Sequence, residues 1–234
     1  MMLKDNRFIA PLRSVFHWLL PQSCFLCGAD SENAVCALCL QELMWTKNAC
    51  TRCGTVLSLD EHICGQCLRR PPPYQHLQSV FAYTYPTTKL IQAAKFQRNF
   101  AVLHLLGQLM AQQLVVENRP DVLIPVPLHP HRLRSRGHNQ SVELAKRISR
   151  QLHIPYDDSA CIRRKNTPPQ TRLSARLRRE NIKDAFDVLY CKPSWQRVSL
   201  IDDVVTTGST VKELAQVLLN AGVKQVDVWC CAKA

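Results

Sequence analysis

Beyond residue 76 the hydrophobic positions of the chain switch repeatedly between two periods. QSVFAYTY (78–85) is a short run of apolar and aromatic residues and reads as a strand. Two helical stretches follow, near 88–96 and 100–117, the second offering Leu103, Leu106, Leu109 and Leu114 to a core face. DVLIPVP (121–127) is a second strand ending in prolines, 139–152 is again helical, and 198–201 is a nearly continuous apolar strand. A helix over 210–221, closed by Gly222, and a last strand, QVDVWCCA (225–232), complete the order. Strands that alternate with helices and have buried-looking cores predict an α/β domain on a mostly parallel sheet. In such sheets ligands gather at the carboxyl ends of the strands.

The first 70 residues lack this alternation. Phe8, Leu12, Val15, Phe16 and Leu19 are spaced along one helical face within 1–22, but Asp5, Arg13 and His17 interrupt it and no small-residue cleavage site follows. This pattern predicts an amphipathic helix packed on its own protein, not a secretory signal. No stretch approaches the roughly 20 apolar residues of a bilayer span, and the expected compartment is the cytoplasm.

Eight of the twelve cysteines then fall in four CxxC pairs within 23–70: Cys24/Cys27, Cys36/Cys39, Cys50/Cys53 and Cys64/Cys67. CFLCGADSENAVCALCL and CTRCGTVLSLDEHICGQCL share one scheme, C-x-x-C-G, a polar spacer, Val or Ile, then C-x-x-C-L. Two such pairs hold a tetrahedral zinc ion, because a two-residue gap lets both thiolates reach one metal from a tight turn. Gly28 and Gly54 follow the first pair of each unit, where such a turn takes positive φ. Disulfides are disfavoured in a cytoplasmic chain, and a thioredoxin-like motif has one CxxC, not four in series. Two structural Zn2+ sites follow, one ion per repeat or cross-braced, since the spacing admits both. Four thiolates leave no open coordination position, so this head is a scaffold or docking module. Cys161, Cys191, Cys230 and Cys231 stand apart and read as small core hydrophobes. The triple proline of RRPPPYQ (69–75) predicts a stiff connector over 71–77 before a second domain at 78–234.

At 234 residues, with 46% hydrophobic and 21% charged, the chain has the makings of a folded soluble protein with a sizeable core. Its net charge of +12 points to polyanionic partners, and residues 132–183 alone hold 14 basic against 4 acidic side chains.

Unusual chemistry stands at two strand ends. PVPLHPHRLRSRGHNQ (125–140) packs His129, His131, Arg132, Arg134, Arg136 and His138 into a loop bounded by proline and glycine, where guanidinium groups match phosphate geometry. In VSLIDDVVTTGSTVKEL (198–214), Asp202 and Asp203 end a strand and a small, hydroxyl-rich turn leads into a helix. Thr210 and Glu213 have capping-box spacing, which predicts a helix starting at Thr210. The helix N-terminus and the hydroxyls of Thr206, Thr207, Ser209 and Thr210 suit a phosphate, while Gly208 allows close backbone approach. Two adjacent carboxylates would repel that phosphate but accept hydrogen bonds from vicinal hydroxyls, so the stretch describes a receptor for a ribose 5'-phosphate. A Walker B reading fails because no G-x-x-x-x-G-K-[ST] loop lies upstream.

IDDVVTTGST resembles the phosphoribosyl pyrophosphate (PRPP) motif of type I phosphoribosyltransferases, with Ser199 a small departure in the apolar run. Taken with the cysteine head, PVPLHPHRLRSRGHNQ, TPPQTRLSARLRRENIKDAF (167–186) and VDVWCCAKA, the chain resembles the ComF/GntX family of competence proteins. The resemblance implies a type I phosphoribosyltransferase fold preceded by a small zinc-binding domain with four-cysteine sites. It implies PRPP, with Mg2+, held by Asp202, Asp203, Val204, Thr206, Thr207, Gly208, Ser209 and Thr210. Asp202 and Asp203 would take the ribose hydroxyls and the turn the 5'-phosphate. His129, Arg132 and Arg136 would face pyrophosphate or DNA. Arg163, Arg164, Lys165, Arg172, Arg176, Arg178 and Arg179 would do the same from 163–183, the place of the hood that closes over PRPP in active enzymes. No catalytic residue is assigned. Three functions follow: handling of single-stranded DNA in natural transformation or DNA utilisation, beside uptake proteins such as a helicase or translocase; phosphoribosyl transfer in nucleotide salvage; or a PRPP-sensing adaptor. The basic stretch places the first foremost, and its single aromatic, Tyr156, predicts charge-driven binding without base stacking.

Overall fold

The computed structural model describes residues 23–58, 61–166 and 182–234, so the helix expected over 1–22 lies outside the described residues. Compactness divides the chain into two units, Met1–Leu43 and Met44–Ala234. In the first, Ser23 bridges Asp30 and the Gly28 N–H donates to the Cys24 carbonyl at 2.8 Å, with Gly28 at φ +79°. Helix α1 (Ala37–Gln41) then carries Cys39. The second unit opens on the same turn: Ala49 bridges Val56, the Gly54 N–H donates to the Cys50 carbonyl at 2.8 Å, and α2 (Gly65–Arg69) carries Cys67. The repeat in sequence is thus a repeat in backbone. Gly54 is favoured by its φ of +72°, and a Cβ there would lie 2.6 Å from the Leu77 Cδ2 methyl, which would have to move aside.

That close approach arises because the second repeat is fastened to the first strand of the sheet, β1 (Leu77–Ala82). The Leu77 N–H donates to Thr51 O at 2.8 Å, the Thr46 N–H to Val80 O at 3.0 Å, and the rings of Trp45 and Phe81 lie 4.7 Å apart. Tyr74, beside the triple proline, is buried. The expected connector therefore does not hold the second repeat away from the sheet.

The sheet contains β1, β2 (Val122–Pro125), β5 (Arg197–Val205) and β6 (Gln225–Lys233) in the order β1-β6-β5-β2, all parallel. Helices α3 (Thr87–Phe96) and α4 (Phe100–Gln113) follow β1, and α4 packs on α6 (Gln140–Leu152), which covers β2 and β5. Helix α7 (Ser209–Asn220) packs on β5 and β6, its Leu214, Ala215 and Leu218 joining Val198, Leu200, Val226 and Val228 in one core. The predicted α/β class with a parallel sheet is the class observed. No helix among the described residues is long and apolar enough to cross a membrane.

Three local expectations need correction. The arginine-rich loop after β2 contains a helix, α5 (Pro130–Arg136), with Pro130 in its first turn, the His129 ring accepting the His131 N–H at 3.2 Å, and Gly137 at φ +81° closing it. Helix α7 begins at Ser209, and the Thr210/Glu213 capping box does not form. Gly208, at φ +74°, leads the chain in, and Glu213 instead accepts the Asp184 N–H at 2.7 Å. A two-stranded antiparallel ribbon, β3 (Cys161–Arg163) with β4 (Phe186–Val188), is absent from the sequence reading, since three-residue strands leave no readable period.

Candidate functional site

The adjacent carboxylates lie within β5, three and two residues before its end, and both are half-buried. Asp202 Oδ1 accepts the Ser141 hydroxyl at 3.3 Å and the Asp203 N–H at 2.9 Å. Asp203 accepts the Val204 N–H at 2.6 Å through Oδ1, and its Oδ2 lies 3.0 Å from Lys95 Nζ at the end of α3. Burial, followed by the neighbouring Asp203 charge, pushes the Asp202 carboxyl up to about 7. Burial would lower the Lys95 ammonium, but the Asp203 carboxylate outweighs it and holds Lys95 above its ordinary value. The result is one carboxylate with a fixed counter-charge beside one that gains a proton easily, a pair suited to hydroxyl groups and poorly suited to a bare phosphate. Sequence reasoning misses Lys95 and Ser141. Each sits in a stretch that reads as an ordinary amphipathic helix, and only tertiary packing brings them to the aspartates.

Past β5, Thr206 and Thr207 are exposed while Gly208 and Ser209 are buried. The Thr207 and Ser209 hydroxyls lie 2.9 Å apart, and Thr207 Oγ1 accepts the Ser209 N–H at 3.4 Å. This turn leads into the twelve-residue α7, whose first N–H groups lack intrahelical acceptors. A Cβ on Gly208 would meet nothing closer than 3.6 Å, so the glycine is demanded by its φ and not by space. The turn forms one wall of a cleft of about 880 Å³. Cys53 and Cys67 of the second repeat form the other, with Lys183, Lys212 and Lys233 adding positive charge.

The arginines divide into two groups. Arg163 is buried with its guanidinium 5.5 Å from the Phe186 ring centroid, and burial followed by the charge of Arg132 lowers it to about 10, with Asp202 opposing. Arg132 is lowered by burial and then by Arg136. Arg163 thus stands near both Arg132 and Asp202 and donates from Nε to the Lys165 carbonyl at 3.4 Å, while Arg132 stands near Arg136, one turn further along α5. Arg164 instead pairs with Asp187 across the β3–β4 ribbon, Lys165 donates to the Lys183 carbonyl at 2.6 Å, and His129 caps α5. His138 is buried, with ring nitrogens 3.0 Å from Ala94 O and 3.3 Å from Arg136 O, which makes it a structural residue and not a phosphate contact. Arg172, Arg176, Arg178 and Arg179 lie outside the described residues.

The zinc pairing, open in sequence, is sequential. The sulfurs of Cys24, Cys27, Cys36 and Cys39 lie within 4.8 Å of one another, and so do those of Cys50, Cys53, Cys64 and Cys67. Separations of 3.8 Å for Cys27–Cys36 and 3.7 Å for Cys53–Cys64 match the edge of a tetrahedron, about 3.8 Å for Zn–S bonds near 2.3 Å. In both sites the first sulfur accepts a backbone N–H at 3.3 Å, from Cys36 to Cys24 and from Cys64 to Cys50. Burial alone would raise these thiols, but backbone N–H groups more than offset it and lower Cys24 to about 6 and Cys50 to about 7. Both sites are complete in protein sulfur.

Two family models match: a double zinc ribbon domain over residues 15–68 and a phosphoribosyl transferase domain over residues 138–234. The chain is 38% identical over 223 residues to DNA utilization protein YhgH of Escherichia coli O157:H7, covering 92% of this chain and 98% of that protein. It is 35% identical over 212 residues to Competence protein F of Haemophilus influenzae, covering 87% and 92%. Competence protein ComFC of Bacillus subtilis is 27% identical over 202 residues, covering 82% and 80%.

Proposed function

The chain belongs to the family of DNA utilization protein YhgH and Competence protein F, and we propose that it handles incoming single-stranded DNA in the cytoplasm while binding PRPP or a ribonucleotide at the end of β5. The observation that carries this reading is the approach of Arg132, itself beside Arg136 on α5, to Arg163, which lies near Asp202. Clustered guanidinium groups on a chain of net charge +12 favour a phosphate backbone. The carboxylate pair favours a different ligand, because a DNA strand offers no vicinal diol whereas PRPP and ribonucleotides do. Strand and ribosyl ligand are thus recognised by separate chemistry, the first by guanidinium groups and the second by Asp202 and Asp203, with the 206–210 turn on its 5'-phosphate. Titration of single-stranded DNA binding against salt tests the first half: log K should fall with a slope of about −0.7 per phosphate contacted, and no binding at low salt would refute it.

The same arginines favour a second reading, phosphoribosyl transfer. As pyrophosphate leaves C1 of PRPP, positive charge grows on the ribose and negative charge on the leaving group. Arg132, Arg136 and Arg163 would stabilise the latter electrostatically, and Mg2+ would add charge there when bound. Pyrophosphate release from PRPP across a panel of bases separates transferase from binder.

A further inference from the structure

Residues 132–183 contain one aromatic, but the fold brings others to that surface. Phe96 ends α3 and is 69% exposed; Phe100 opens α4 and is 43% exposed. The Arg136 guanidinium lies 5.4 Å from the Phe96 ring centroid, and Phe100 lies against the buried His138 with centroids 4.9 Å apart. The turn between them is held firmly. Arg98 donates from Nε to Arg136 O at 3.2 Å, and its guanidinium covers Gly137 so closely that a Cβ there would meet it at 2.9 Å. Phe96 also directly follows Lys95, the residue that holds Asp203.

Isolated exposed aromatics are common and need no explanation. Here two of them stand on a fixed turn, one next in sequence to the lysine of the carboxylate pair and packed against a clustered arginine. We propose that Phe96, with Phe100 beside it, is a stacking platform for the bases of single-stranded nucleic acid whose phosphates meet Arg98, Arg132 and Arg136. This rests on the nucleic-acid reading above and reverses the expectation, drawn from local sequence, that binding is by charge alone. Every base offers a π-face, so the platform adds affinity without sequence preference. The cationic surroundings favour a polyanion over an apolar protein segment as its occupant.

The test compares a thymidine oligonucleotide with an abasic oligonucleotide of equal length and charge. Wild-type protein should prefer the thymidine strand by on the order of tenfold. Phe96→Ala should abolish that preference and leave the salt slope unchanged, while Phe96→Trp should retain it; an unaltered thermal midpoint in both shows that folding is intact. Equal binding of the two strands by wild type, or an undiminished preference in Phe96→Ala, overturns the platform while leaving charge-driven DNA binding in place. Failure of both strands to bind at low salt overturns the nucleic-acid reading and the platform with it.

Discussion

Lys95 Nζ lies 3.0 Å from Asp203 Oδ2, joining the end of the first helix after β1 to the carboxylate pair on β5. It is the counter-charge that makes two adjacent aspartates tolerable in a half-buried place. Lys95→Met should destabilise the fold at pH 8 by about 1–2 kcal/mol, read as a lower thermal midpoint, since both side chains retain some solvent screening. Lys95→Arg, which keeps the positive charge, should lose clearly less than Lys95→Met. An equal loss in the two variants would assign Lys95 a packing role only.

Asp202 carries a pH signature of its own. Its carboxyl is raised to about 7 in the fold, against about 3.9 in an unfolded chain. The stability that it contributes is therefore complete below about pH 4 and is lost as the pH rises through about 7, because the unfolded state ionises first. Asp202→Asn should match wild type near pH 4 and exceed its thermal midpoint at pH 8, the gap opening between those limits. A variant less stable than wild type at pH 8 would contradict the assignment.

What is legible in sequence depends on the range of the interactions. The strand of Val198 to Ile201, the turn at Gly208 and the four CxxC pairs announce themselves through neighbours only a few residues away, and each stands where its local pattern placed it. Lys95 and Ser141 gain their roles only when α3 and α6 reach the end of β5. The Thr210/Glu213 capping box is a sound local pattern that loses to a distant competitor, the Asp184 N–H. The arginine-rich segment reads as a loop because proline and glycine commonly break helices, yet here they sit at the two ends of α5. Zinc pairing is undecidable from spacing because both pairings satisfy it, and the sulfur positions decide it.

Each four-cysteine site should bind its own ion, so purified protein should contain two zinc ions per chain, and one after either Cys36→Ser or Cys64→Ser. The two variants should then differ. Cys53 and Cys67 share a cleft with the 206–209 turn, whereas Cys36 belongs to the other compact unit. Cys64→Ser should therefore reduce thermal protection by PRPP, and Cys36→Ser should leave it intact. Equal effects would show that the second site is not coupled to the turn.

Arg163 provides a contrast with Arg164, its neighbour in sequence. Arg163 is buried against Phe186, near Arg132 and Asp202, and donates to the Lys165 carbonyl at 3.4 Å, while Arg164 pairs with Asp187 across the ribbon. Arg163→Gln should weaken single-stranded DNA binding and reduce the salt slope by about one contact, and Arg164→Gln should change neither by a comparable amount. Equal losses in the two variants would mean that a diffuse field, not the cluster, attracts the strand.

If strand and ribosyl ligand are recognised by different groups, one double variant read in two ways must separate them. In Asp202→Asn/Asp203→Asn, thermal protection by PRPP should vanish while single-stranded DNA affinity at low salt stays at the wild-type value or rises. Protection that survives the double substitution, or DNA affinity that falls together with it, would contradict that division of labour.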